Sequence, residues 1–119
     1  MLLTDVPSPD DDNSEKTEIA IYNVMKRHES QLHQIGEELG LSIYQDNTLR
    51  RVISFCYRQN IFFWDIQGLA NDENLMEENR NDCIKQMRQL NKREPIDVMK
   101  TMLLANDIGL EYRKEWLSL

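Results

Sequence analysis

The chain has 119 residues, a length that suits a single domain, and its 40% hydrophobic residues with only four glycines and three prolines indicate a compact core. This composition excludes a linker or a low-complexity chain. The net charge of −7 is uneven, because residues 1–18 carry six acidic residues and one basic residue while the remainder is close to neutral. Neither a strongly basic, phosphate-binding surface nor a strongly anionic one is therefore expected over most of the chain.

The sequence also limits where in the cell the protein is expected. No charge-free run exceeds seven residues, whereas a membrane span needs roughly 18 apolar residues. The opening "MLLTDVPSPDDDNS" lacks the basic region of a signal peptide. Cys56 and Cys83 are too few for the disulfide framework of a small secreted protein, so both are expected to be reduced, with one disulfide as the alternative. These observations predict a cytoplasmic protein without membrane contact.

Two regions are expected. Residues 1–13 hold two prolines and four aspartates with little to bury, which predicts a disordered acidic tail. Residues 14–119 are expected to form a single helical domain. A further hypothesis is that the acidic tail competes for a basic surface on a partner.

A long first helix is predicted from Ser14 to Gly40. Ser14 suits the N-cap, and Glu15 and Glu18 place negative charge in the first turn. Apolar or semi-apolar residues then recur at spacings of 4, 3, 4, 3 and 4, which defines a heptad seam: Ile21, Met25, His28, Leu32, Ile35 and Leu39. Gly40 can end the helix in the left-handed conformation. A helix of about 26 residues would measure roughly 39 Å and must pack against other helices or another chain.

A second helix is expected after Asp46 or Asn47, either of which can cap it. Its apolar positions follow a helical spacing: Leu49, Val52, Ile53, Cys56 and Tyr57. Residues 60–66 fit either a buried strand or a helix, and the helical neighbours favour a helix.

The last third predicts two or three further helices. Acidic residues precede basic ones over residues 72–92. Negative charge near the start of a helix and positive charge near its end interact favourably with the helix dipole, so this order indicates a helix. Pro95 suits the first turn of the next helix, for which a buried face is predicted at Ile96, Met99, Met102 and Leu103. Gly109 is expected to end that helix or the following loop, before a short amphipathic turn. The fold class is therefore all-α, with about four to five helices in a bundle or an irregular helical domain.

The stretch "IGEELGLS", residues 35–42, resembles the first helix and turn of the helix-turn-helix family. Gly36 supplies a small residue where the two helices would approach. The resemblance implies that Thr48, Arg50 and Arg51, at the start of the second helix, contact bases or phosphates of DNA. The sequence departs from the family because Thr48 follows Ser42 by six positions rather than about three, which lengthens the turn.

No pattern points to catalysis, a metal or a cofactor. His28 and His33 lie five residues apart, about 140° around a helix, too far to share one ion. No glycine-rich phosphate loop or nucleophile motif is present in the sequence, and both cysteines fall on predicted apolar faces. The chain is therefore predicted not to be an enzyme and to take no small-molecule substrate.

The leading hypothesis is a small helical protein-protein interaction or regulatory protein that binds another protein, or itself as a homodimer, through the heptad seam. The alternative is a DNA-binding transcriptional regulator using residues 35–53.

Overall fold

The computed structural model describes residues 5–41, 47–66 and 95–119, and within them the side chains of residues 5–41, 47–61 and 100–119. Three α-helices occur in these ranges: α1 (Glu15–Glu38), α2 (Thr48–Ile66) and α3 (Pro95–Ser118). The described residues contain no strand, so the all-α class is confirmed for them. The predicted helix over 72–92 lies outside the described residues, and a total of four to five helices stays a prediction.

Helix α1 begins and ends where the sequence predicts. The Ser14 hydroxyl accepts a hydrogen bond from the Thr17 backbone N–H at 3.3 Å, which confirms the N-cap. Gly40 has a φ of 72°, and the Leu41 N–H donates to the Gly36 carbonyl at 2.9 Å, as in a helix that closes on a left-handed glycine. The helix is not one straight rod, because His28 has non-helical backbone angles (φ −127°, ψ 27°) and marks a kink.

Helix α2 is amphipathic in the predicted register. It starts after Asn47, whose φ is 71°, and its residues Val52, Ile53, Cys56 and Tyr57 are buried. The helix continues to Ile66, so residues 60–66 are helical, as favoured from the sequence.

Helix α3 begins at Pro95, as predicted, but it does not end near Gly109. It runs through Gly109 to Ser118, because that glycine lies against the backbone of α2: a Cβ added there would stand 2.0 Å from the Cys56 carbonyl oxygen. Gly109 is therefore a packing residue and not a helix stop. The predicted buried face is also partly wrong, since Leu103 is 49% exposed while Ala105, Ile108 and Tyr112 are buried.

The three helices share one core. Its buried side chains come from all of them, with Leu32 and Ile35 from α1, Ile53 and Phe55 from α2, and Ile108 from α3 among the most enclosed. Helix α3 runs antiparallel to α2, because residues 56 and 60 lie beside residues 109 and 106. Helix α3 is also antiparallel to α1, since Thr17 contacts Trp116 and His28 contacts Glu111. The start of α1 therefore lies beside the end of α3.

Residues 5–13, hereafter the amino-terminal segment, lie packed against the helices where a disordered tail was predicted. Val6 is only 1% exposed, and Ser8 is buried as well. The tyrosine hydroxyls of α2 and α3 donate hydrogen bonds to its backbone carbonyls. One apolar side chain and several backbone acceptors are enough to give an otherwise acidic segment a defined position.

None of the helices in the described ranges combines the length and the apolar composition that crossing a membrane requires.

Candidate functional site

The predicted heptad seam faces the interior of this chain. Ile21 is 4% exposed and Leu39 is 3% exposed, while Leu32 and Ile35 are fully buried. Met25 is partly buried and packs against the same core. In this fold the apolar part of the seam joins α1 to α2 and α3, so it is already covered without a second chain.

His28 differs from the other seam residues because it sits at the kink and carries charge contacts. Its Nε2 lies 2.5 Å from Glu111 Oε2, without the alignment of a hydrogen bond, so the contact is an ion pair when the imidazole is protonated. Arg27 reaches the same helix, with 3.3 Å to Glu111 and 2.8 Å to Glu115. Hydrogen bonds to Glu115 from Asn23 and then from Arg27 lower the pKa of that carboxyl. These contacts hold α3 against the kink residue and the turn of α1 that precedes it.

The residues that the helix-turn-helix resemblance assigns to DNA contact are placed differently from one another. Thr48 is 5% exposed. Arg50 is engaged within the chain: it lies 2.6 Å from Glu18 Oε1 and donates to the carbonyls of Pro9 and Asp12. Arg51 is exposed. Of the three, only Arg51 is both basic and presented to solvent.

The turn between the two helices is also longer than the family requires. Nine residues, Leu39 to Asn47, separate α1 from α2, whereas a helix-turn-helix uses a turn of about three or four. Gly36 nevertheless does what the resemblance implies, because a Cβ there would lie 3.3 Å from the Val52 side chain.

The amino-terminal segment lies on a surface that we call the tyrosine–arginine surface, formed by Arg50, Tyr57 and Arg58 of α2 and Tyr112 of α3. The Tyr57 hydroxyl donates to the Val6 carbonyl at 2.7 Å, and the Tyr112 hydroxyl donates to the next carbonyl, that of Pro7, at 3.1 Å. The two rings meet edge to face with centroids 6.0 Å apart. The backbone carbonyls of two consecutive residues therefore each accept a hydrogen bond from a tyrosine hydroxyl.

The protonation of these hydroxyls suits their role as donors. Burial raises the pKa of Tyr57 above its usual value of 10, and it raises the pKa of Tyr112 further. Both side chains are therefore neutral at physiological pH and keep the proton that they donate.

Arginines hold the acidic half of the amino-terminal segment. Arg58 Nη2 lies 2.7 Å from Asp10 Oδ2, in a contact at the surface where the two side chains are 22% and 35% exposed. Arg50 Nη2 donates to the Pro9 carbonyl at 2.9 Å and to the Asp12 carbonyl at 3.1 Å. One guanidinium thus binds a carboxylate and the other binds main-chain oxygens, so both charge and backbone are recognised.

Asp12 joins the amino-terminal segment to α1. Its carboxylate accepts hydrogen bonds from the hydroxyls of Ser14 and Thr17, which lower the pKa of Asp12. Thr17 in turn accepts from Trp116 Nε1 at 3.1 Å. Lys16 lies over the ring of the same tryptophan, 4.0 Å from its centroid. The start of α1 and the end of α3 are therefore held in one polar network.

Behind the tyrosines lies a buried polar group. Arg113 is fully buried, donates to the Asn60 side-chain oxygen at 2.6 Å, and stands 5.8 Å from the centroid of the Tyr57 ring. The Asn60 amide donates onward to Asn106 at 3.0 Å. Burial lowers the pKa of Arg113, yet a guanidinium titrates so high that its positive charge persists at neutral pH. This charge adds to the attraction of the surface for acidic groups.

An open cleft of about 370 Å³ lies between α1 and the first turn of α2. Ile21 and Met25 line it on one side and Leu49 on the other, and the Glu18–Arg50 ion pair forms part of its wall. His33, Asn47 and Thr48 complete its lining.

The described residues contain no group of three or more His, Cys, Asp or Glu side chains placed to hold a metal ion. Cys56 is fully buried, and burial strongly raises the pKa of its thiol, so the nucleophilic thiolate is disfavoured. Cys83 lies outside the described residues.

Three residues of the tyrosine–arginine surface were missed as binding residues from the sequence: Tyr57, Arg58 and Tyr112. Tyr57 and Arg58 lie in "RRVISFCYRQNIFFW", a mixture of arginines and aromatics of the kind that binds single-stranded nucleic acid, although aromatics at helical spacing are more often core. A second signal is the apolar pair Val6-Pro7 inside an acidic stretch. The structure buries Val6, and a buried side chain needs a surface to pack against.

No protein-family model, no curated protein and no solved structure matches this chain.

Proposed function

We propose that this chain is a non-catalytic interaction protein that binds a protein partner and acts as a regulator by doing so. One observation carries the proposal: the fold holds an extended stretch of polypeptide, the amino-terminal segment, on a surface built from side chains of two helices. Its recognition combines donors to main-chain carbonyls, a buried apolar residue and an ion pair. These are the contacts with which interaction domains bind extended peptides.

The partner would not bind through the heptad seam in this fold. Leu32 and Ile35 are fully buried between the helices, so a homodimer through the seam would first have to remove α1 from the core. We therefore place partner binding on the outer surfaces of α2 and α3, beside the amino-terminal segment.

The proposal can be tested by photo-crosslinking in the native host. Benzoylphenylalanine would replace the exposed Arg51 on α2, with the exposed Lys114 on α3 as a matched position. We expect a discrete protein adduct at one position or both, identified by mass spectrometry and then reproduced with the two purified proteins. Absence of a reproducible adduct from both positions would refute protein binding at these surfaces.

DNA binding is the second candidate, and the close approach of Gly36 to Val52 favours it. Anisotropy of a labelled duplex at low salt would test it, because non-specific binding by DNA-reading proteins tightens as salt falls. DNA binding requires a salt-dependent titration that weakens in Arg51→Glu. That variant leaves Arg50 and its contacts to the amino-terminal segment in place.

A further inference from the structure

We infer that the tyrosine–arginine surface is a binding site for an extended peptide of a partner protein, and that the amino-terminal segment occupies it as an internal competitor. The inference rests on the proposed function and names its ligand class. The peptide would carry an apolar residue followed by proline, with a carboxylate four positions after the apolar residue, as in Val6-Pro7-Ser8-Pro9-Asp10.

The contacts define this ligand position by position. The apolar side chain fills the place of Val6, which is 1% exposed. The carbonyls of that residue and of the following proline accept from Tyr57 and Tyr112. Proline suits both its positions, because these contacts use carbonyl oxygens and none needs a proline N–H, while the ring reduces the entropy lost on binding.

The charge of the ligand follows from the arginines. The carboxylate meets Arg58 at 2.7 Å, with Arg50 on the adjacent carbonyl and Arg113 behind Tyr57. The amino-terminal segment carries four aspartates, and one of them, Asp10, pairs with Arg58. Charge complementarity therefore favours an acidic peptide over a neutral or basic one.

A single-stranded nucleic acid also pairs phosphates with arginines and bases with aromatic rings. The geometry favours the peptide, because the tyrosines are used through their hydroxyls on two successive carbonyls and their rings pack against each other. The place filled by Val6 likewise calls for an aliphatic side chain.

The amino-terminal segment controls access to the site. It is covalently continuous with α1 through Asn13 and Ser14, so its local concentration at the surface is of about millimolar order, as for a short linker. A free peptide must displace it, and the full chain should bind such peptides weakly until the segment is released.

The experiment is a fluorescence anisotropy titration of a labelled peptide copying residues 5–13, DVPSPDDDN, with the full chain and with Val6→Asp/Asp10→Lys. This double variant weakens the internal competitor and leaves the surface unchanged. We expect the variant to bind the peptide at least about tenfold more tightly than the unaltered chain. Asp11→Asn is the matched control, since it removes one charge from the same segment at an exposed side chain, and it should bind like the unaltered chain.

Two further comparisons locate the site and exclude a simple charge effect. Adding Arg58→Gln to the double variant should weaken peptide binding at least about fivefold, a loss typical of one charge-assisted contact. Arg51→Gln, an exposed arginine on the same helix, should not weaken it to this extent. A scrambled peptide of identical composition should bind at least about fivefold more weakly, because its apolar residue and carboxylate no longer meet their partners.

If Val6→Asp/Asp10→Lys does not fold, Asp10→Lys alone serves, because Val6 keeps its place and only the ion pair is reversed; a gain of about threefold is then expected. Equal affinity for the native and scrambled peptides, or no gain on weakening the segment, would overturn the inference. So would a single-stranded oligonucleotide that binds the variant more tightly than the peptide. A crosslinked partner whose binding is unaffected by Arg58→Gln would refute this site while leaving the proposed function intact.

Discussion

Replacing Gly109 with alanine tests the close approach of α2 and α3. The new Cβ would stand 2.0 Å from the Cys56 carbonyl oxygen, 2.5 Å from its carbonyl carbon and 3.0 Å from Asn60 Cβ. Two of these three atoms belong to the backbone, so no side-chain rotation relieves the clash. Helices α2 and α3 would have to separate by about 1 Å, which loosens contacts along the core that they share.

The magnitude follows from two opposing effects. Overpacking a core costs about 1–3 kcal/mol and occasionally more, while alanine in place of glycine inside a helix gains about 1 kcal/mol in propensity. Because the clash is with backbone, the cost should lie at or above the upper end of that range. We therefore expect Gly109→Ala to lower the free energy of unfolding by about 2 kcal/mol or more.

Gly36→Ala provides the matched control within a helix. Its added Cβ would meet the Val52 methyl Cγ2 at 3.3 Å, a contact that a small side-chain shift relieves. The propensity gain of about 1 kcal/mol should then leave this variant neutral or slightly more stable.

Urea denaturation followed by circular dichroism measures both variants. With a slope of about 1–3 kcal/mol per molar urea, Gly109→Ala should lower the midpoint by about 1 M. If the free energies of unfolding of Gly109→Ala and Gly36→Ala differ by less than about 0.5 kcal/mol, the reasoning fails, because α2 and α3 then do not approach as closely as described.

Three further outcomes are expected. Leu32→Asp should unfold the chain, because it buries a charge in the core; a folded monomer obtained from a native dimer, seen by light scattering, would restore the seam as an interface. Asp12→Asn should reduce stability at neutral pH. Since folding lowers the pKa of Asp12 from 3.8, its contribution is present above that pH and is lost as the pH falls through the lower folded value, so the two urea curves should converge in acid. In a Cys83→Ser background, Cys56 should react with a thiol reagent only after unfolding, because it is buried with a raised pKa; fast reaction of the native chain would contradict this.

The features that sequence predicted well depend on neighbouring residues. The Ser14 cap, the left-handed Gly40 and the start of α3 at Pro95 are set within a few residues of chain. Gly109 was misjudged because a glycine that ends a helix and a glycine that lets two helices touch are locally alike. Only the position of α2 distinguishes them.

The same limit applies to the candidate site. The hydrogen bond from Tyr112 to Pro7 joins residues 105 positions apart, and no local pattern connects them. For the seam, the heptad spacing predicted correctly that one face of α1 is apolar. The same spacing is found whether that face packs against a partner chain or against other helices of the same chain. The burial of Leu32 and Ile35 in this chain is visible only in the structure.

The contact between Pro7 and Tyr112 has a consequence for synthesis of the protein. Residues 6 and 7 need Tyr57 and Tyr112 together, and Tyr112 is made 105 residues after Pro7. At about 5–20 residues per second, a ribosome takes roughly 5–20 s to cover that distance. Throughout that interval the amino-terminal segment lacks the second half of its binding surface. A nascent chain therefore displays Val6 and its acidic neighbours to other proteins, and the finished chain covers them.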